Sequence, residues 1–202
     1  AGYNLVILNA LQKSQISRRM EADLKRYLEN GGALLFMVVN NHAADEFASG
    51  DLERMLPLTF ESASRGGGLD EETLSFMTRM SEYRKGAMRR GARGELIAPP
   101  LNKFEITDDG KRSRIFAAAG QRDDDGGAVI TPMFQDFALA GSAKPGAILL
   151  ATASPLRKGG EGRPLLAVQN YGRGRSAALC SDGLWRWKLS LPSADCSYET
   201  FW

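Results

Sequence analysis

The chain has 202 residues, 43% of them hydrophobic and 25% charged, which is ordinary for a globular protein and enough for one well-buried core. Its 26 basic and 24 acidic residues leave a formal net charge of +2, too little to argue for nucleic acid. No apolar run approaches the roughly 18 residues of a membrane span, nothing at the start reads as a signal peptide, and the 2 cysteines fit neither a disulfide framework nor a zinc spacing.

Residues 4–9 (NLVILN) read as a short strand of the type buried on both faces. Ser17 is then a good helix N-cap, because its hydroxyl accepts from a backbone N–H in the first turn. Ile16, Met20, Leu24 and Leu28 follow every fourth residue and make one apolar stripe, with Glu21 set to pair with Lys25 one turn on. Gly31 and Gly32 end the helix, since glycine takes the left-handed cap conformation without steric cost. Residues 34–39 (LLFMVV) are a second buried strand. Strand, helix and strand in this order form a βαβ unit, which predicts a parallel sheet.

A polar loop, NNHAADEFASG, follows, then a short helix at 51–56 closed by Pro57. Residues 62–68 are a break, and Asp70 opens another helix with Leu74, Met77 and Met80 inward. Arg84, Lys85, Arg89 and Arg90 fall near its end, where cations complement the helix dipole. Pro99-Pro100, Asp108-Asp109-Gly110 and residues 123–127 are turn chemistry, separating short strands expected at 113–118 and 128–130. Residues 147–153 (AILLATA) are another strand. Then comes the clearest β feature, a hairpin of 165–170 against 176–180 about the Gly172-Arg173-Gly174-Arg175 turn. Phe201-Trp202 falls inside an amphipathic helix, so the chain reads as a segment of a longer polypeptide.

Several of these stretches together resemble a known group. Residues 3–8, the capped helix, the run from Tyr27 through Gly31-Gly32 to Leu35, residues 52–57, and the close from Tyr171 to Trp187 are similar to class I glutamine-amidotransferase-like domains. Domains of this kind occur in large bacterial membrane proteins, often beside von Willebrand factor A domains. The match covers about residues 3–57 and 147–202, and the distinctive part is the passage from Gly172-Arg173 to Trp185 and Trp187. The resemblance implies an α/β fold of the flavodoxin-like kind: a three-layer sandwich with a mostly parallel central sheet, here ending in a C-terminal β-hairpin. It also implies one amidotransferase-like domain over 1–202 with 62–135 as a variable insertion.

A working member of that group needs a cysteine on a tight Gly-x-Cys-x-Gly elbow and, later in the chain, a His-x-Glu pair. Here the turn after the second strand carries Asn40, Asn41 and His42, with no cysteine and no glycine. His42 is the only histidine and precedes both Cys180 and Cys196, so the triad order cannot be met. A Cys180–His42 site would need the ends of two parallel strands to bring them within hydrogen-bond reach. The bland reading is a core thiol and a loop histidine.

Other motifs read as structure. Gly172-Arg173-Gly174-Arg175 lacks the Lys-Ser/Thr of a phosphate loop and precedes a strand, so it is a hairpin turn needing positive φ. Asp123-Asp124-Asp125-Gly126 lacks the alternate ligands and distant Glu of a calcium loop, and no metal or other cofactor is expected. The basic cluster at 84–93 has only Tyr83 beside it, which gives nucleic-acid stacking little support.

Asp182, Trp185 and Trp187 remain as partner or ligand candidates, beside Asn40, Asn41 and His42. Asp182 follows a strand, where α/β folds place their sites, and tryptophans two apart point the same way on an extended chain. The plainer reading is that Asp182 caps the following turn while the tryptophans seal the sheet under the terminal helix. The reading is a non-catalytic module whose partners are neighbouring domains of a membrane-anchored parent or another protein. Alternatives are a site for a small polar ligand or glycan at the strand ends, and a hydrolase using Cys180.

Overall fold

A computed structural model describes residues 3–38, 50–60, 102–116, 133–134, 141–155, 162–181, 184–190, 193 and 196–202. Among them run seven strands: β1 (Leu5–Asn9), β2 (Ala33–Met37), β3 (Asn102–Ile106), β4 (Met133–Phe134), β5 (Ile148–Pro155), β6 (Arg163–Tyr171) and β7 (Gly174–Leu179). They form one sheet in the order β1-β2-β7-β6-β5-β3-β4. The helices are α1 (Arg18–Glu29), α2 (Asp51–Met55), α3 (Asp108–Arg112), α4 (Trp185–Ser190) and α5 (Ser197–Phe201). The fold is therefore mixed α/β. None of these helices is long and apolar enough to cross a membrane.

The sheet departs from the mostly parallel arrangement expected of the sequence. Only β1–β2 and β2–β7 pair in parallel, while β7–β6, β6–β5, β5–β3 and β3–β4 are antiparallel. For β5, β6 and β7 the reason is connection length. A parallel neighbour needs a crossover of roughly a dozen residues or more, which α1 supplies between β1 and β2. The links from β5 to β6 and from β6 to β7 are short, so those strands turn back on themselves.

The βαβ unit forms much as its signals require. The Ser17 hydroxyl accepts from the Met20 N–H at 3.2 Å, and Gly31 takes φ 102° just past the helix. Ile16, Leu24 and Leu28 are buried, while Met20 is partly exposed. Glu21 does not serve Lys25. Its carboxylate accepts from the Leu52 N–H at 2.8 Å and caps α2, while Lys25 reaches Asp51 at 3.7 Å. The polar side of α1 thus holds a second helix rather than itself. Nor is β1 buried on both faces, because it is an edge strand with Leu5 and Ile7 about half exposed.

Part of the segment expected as an insertion over 62–135 belongs to the sheet, since β3 pairs with β5 from Asn102 to Ile106. The expected turn at Asp108-Asp109-Gly110 is instead the start of α3. The Thr107 hydroxyl accepts from the Gly110 N–H at 3.0 Å, and two acidic residues in the first turn favour the helix dipole. Gly110 is required there because a Cβ would lie 2.1 Å from the Leu150 carbonyl oxygen. Residues 114–116 form a short 3-10 turn, not the expected strand, and drive Phe116 into the core. The helix expected from Asp70, the basic cluster at 84–93, the turn at 123–127 and the strand at 128–130 lie outside the described residues.

The hairpin is as expected. Gly172 takes φ 57° in the turn between β6 and β7. Gly174 lets β7 pass against α1, for a Cβ there would lie 2.2 Å from the Gly32 oxygen and 2.4 Å from the Leu28 oxygen. From β7 the buried Ser176 hydroxyl donates to the Met55 carbonyl at 2.5 Å, and Gln169 of β6 donates to the same oxygen at 2.9 Å. These two bonds satisfy the end of α2, whose last carbonyls have no partner within the helix. Leu28, Leu52, Met55, Leu165 and Leu179 are enclosed around this junction.

Candidate functional site

The three parallel strands end level with one another. Asn9, Met37 and Leu179 are register partners across β1, β2 and β7. The ladder continues one step beyond: Ala10 N–H donates to Met37 at 3.1 Å, Val38 N–H to Leu179 at 2.8 Å, and Cys180 N–H to Leu165 at 2.8 Å. Ala10 has φ 54°, a left-handed conformation uncommon for a residue with a Cβ. This rim is where open α/β sheets place their sites.

The expected candidates map onto the rim unequally. Asn40, Asn41 and His42 follow β2, and Asp182 follows β7, so both segments leave from neighbouring strands at the same end. Those four residues lie outside the described ones. The placement groups their points of departure and nothing more. Ser181, enclosed directly before Asp182, is a polar residue of the rim that the sequence reading passed over. A serine straight after an apolar strand was the available signal.

Cys180 is fully enclosed, and burial pushes its thiol from 9.0 up to about 12. The cause is burial, which strips the charged form of its hydration, so the sulfur stays protonated at neutral pH. A nucleophilic cysteine needs the reverse, an exposed sulfur beside a positive group. Cys196 is exposed. Among the described residues no group of three or more His, Cys, Asp or Glu could hold a metal ion.

The premise of extended chain at the two tryptophans does not hold. Trp185–Ser190 is helix α4, not extended chain, so residues two apart on it are rotated by about 200°. Trp187 is 3% exposed and meets the edges of Tyr198 and Phe201 at centroid distances of 6.1 and 6.0 Å. Phe201 in turn lies 5.7 Å from Phe116, which meets Phe104 of β3 at 5.6 Å. Trp187 therefore anchors α4 and α5 to the sheet and is no surface anchor. Among the described residues, Leu189, at 74%, and Trp202 are exposed apolar side chains of this end.

Two charged groups among the described residues have structural partners. Lys144 donates to the Glu53 carbonyl, and burial lowers its pKa from the ordinary lysine value. Asp108 sits below the usual carboxylate range because Lys111 bonds it at 2.9 Å on the surface of α3.

No protein-family model matches this chain, and no curated protein matches it. Solved structures do. The cytoplasmic protein STM3548 from Salmonella typhimurium is 16% identical, with 99% of this chain and 69% of that one covered and a TM-score of 0.60. The cytoplasmic protein STM1381 from Salmonella typhimurium LT2 is 14% identical over the same shares, with a TM-score of 0.50. Neither name carries an activity. At these identities the likeness is one of fold: this chain has the α/β architecture of those two proteins.

Proposed function

We propose that this chain is a non-catalytic, class I glutamine-amidotransferase-like domain, a structural or protein-interaction module of a bacterial membrane-associated protein. The observation that carries the non-catalytic part is Cys180, which stands at a strand end yet is sealed in the core with its thiol held protonated. The β1-α1-β2 unit with β7 in parallel supports a flavodoxin-like half-sheet, extended by antiparallel strands. Membrane association and the amidotransferase relation rest on the sequence resemblance. Leu189 and Trp202 give the module an exposed apolar contact at its C-terminal end.

Two assays test this reading. Purified chain is offered glutamine, with ammonia release measured, and a glutamine-like electrophile, with adducts mapped by mass spectrometry. The expected result is neither turnover nor a Cys180 adduct, and either one overturns the non-catalytic reading. Capture from solubilised membranes, with Leu189→Lys as the folded control, tests the interaction role. A protein held by the wild type and released by the variant supports docking through α4.

A second reading has its own observation. Met37 and Leu179 are register partners, so the segments carrying Asn40–His42 and Asp182 start side by side, as a cleft for a small polar ligand or glycan would need. A ligand-dependent rise in unfolding temperature without turnover would favour it.

A further inference from the structure

The two ends of the sheet are unlike. One end is β4, Met133–Phe134. At the other, β1 presents five residues, Leu5–Asn9, paired on one side only among the described residues. Exposed edges of this kind are templates for another strand, and proteins blunt them with lysine, proline, bulges or inward charges. None of these guards β1: from Tyr3 to Gln12 the sequence YNLVILNALQ holds no charge and no proline. Its pairing with β2 runs residue for residue without a bulge.

We propose that β1 is a self-association edge, pairing antiparallel with β1 of a second copy of this chain. About a two-fold axis a charge at the centre of the strand would face its own copy, and charges on either side would lie diagonally across from theirs; this strand carries none. About a two-fold axis at Ile7 the strand is self-complementary. Ile7 faces Ile7 of the second copy, Val6 faces Leu8, and Leu5 faces Asn9. Register across β1, β2 and β7 puts Leu5 and Ile7 on the same face as Leu35 and Ala177. Leu5 is 49% and Ile7 48% exposed on that face, so pairing removes from water the apolar surface that the monomer leaves open. The outward N–H and C=O groups of β1 gain partners in the same step. This inference does not rest on the proposed function, since such an edge would associate in an enzyme or a binding module alike.

Sedimentation of the full 202-residue chain, from micromolar to near-millimolar concentration, reads the stoichiometry directly. The expected result is a rise from one chain to two, with amide exchange over residues 5–9 slowing as the dimer forms. Ile7→Lys, which sets two lysines against each other on the axis, should weaken association by at least about tenfold while circular dichroism stays unchanged. If that variant fails to fold, Leu5→Lys replaces it, and the exchange measurement needs no variant. Ile148→Lys is the control, for Ile148 is equally exposed at 48% but lies on β5, away from this edge. It should leave the dimer intact. The proposal is overturned if the chain stays monomeric throughout, if a dimer forms without protecting residues 5–9, or if Ile148→Lys abolishes it. Protection gained only when another protein's extended segment is added also overturns it, by placing a foreign strand on the edge.

Discussion

The half-sheet β1-β2-β7 and the half-sheet β6-β5-β3-β4 are held by different means. In the parallel half, helices lock onto the strands through polar and backbone contacts. Gly174 lets β7 touch the carbonyls of α1, Glu21 caps α2, and Ser176 with Gln169 ties down the far end of α2. The antiparallel half ties α3 to β5 through close approach at Gly110, then seals itself with aromatic side chains. Phe104 and Phe116 pack onto Phe201 and Trp187, drawn from the end of the chain. A ring of the aromatic layer buries more apolar area than a leucine under a helix, so truncating one should cost more there. The two halves should therefore respond to damage differently.

Phe116→Ala removes the ring linking β3 to α5 and should cost about 4 kcal/mol, against about 3 kcal/mol for Leu28→Ala under α1. Urea unfolding of both variants checks this, and a cost for Leu28→Ala well above that for Phe116→Ala would reverse the comparison. Gly174→Ala and Gly110→Ala each push a Cβ into a backbone carbonyl and should each cost about 3 kcal/mol. If only one is costly, only that half depends on close backbone approach.

Alkaline stability isolates the buried thiol between the halves. The folded-state pKa of Cys180, about 12, lies above the 9.0 of the free thiol, so the unfolded chain ionises first. Its contribution is complete below pH 9 and is lost as pH rises from about 9 towards 12, by up to about 1.4 kcal/mol per pH unit. Cys180→Ala should lack that slope. An alkylating reagent at neutral pH should meanwhile modify Cys196 and leave Cys180 until the chain unfolds. The smallest expected effect is Ser176→Ala, about 1 kcal/mol, because Gln169 still donates to the Met55 carbonyl. Adding Gln169→Ala should cost more than the two single changes summed, because the carbonyl is then buried without either donor.

Legibility in the sequence followed the range of the interaction. Ser17 announced its helix because a cap acts within one turn, and Gly31 and Gly172 announced their turns because positive φ belongs to the residue itself. The βαβ unit and the hairpin were readable for the same reason. Asp108-Asp109-Gly110 misled because the same residues suit a turn and a helix start, and the choice fell to Thr107, whose hydroxyl both caps α3 and donates to Leu149 on β5. The shared-face reading of the tryptophan pair failed because spacing two means one face on a strand and opposed positions on a helix. The reading that they seal the sheet under the terminal helix holds for Trp187.

The sequence by itself determined the class of the fold, the capped first helix, the glycine turns and the apolar strands β1, β2, β5, β6 and β7. Only the tertiary structure decided that β7 inserts between β2 and β6, that the sheet turns antiparallel beyond it, that Cys180 and Trp187 are sealed, and that β1 is left as an edge. Caps and turns are settled by neighbours along the chain. The choice of a strand's partner is settled by which distant apolar face it can cover, and closing a longer loop adds too little cost to forbid the distant choice.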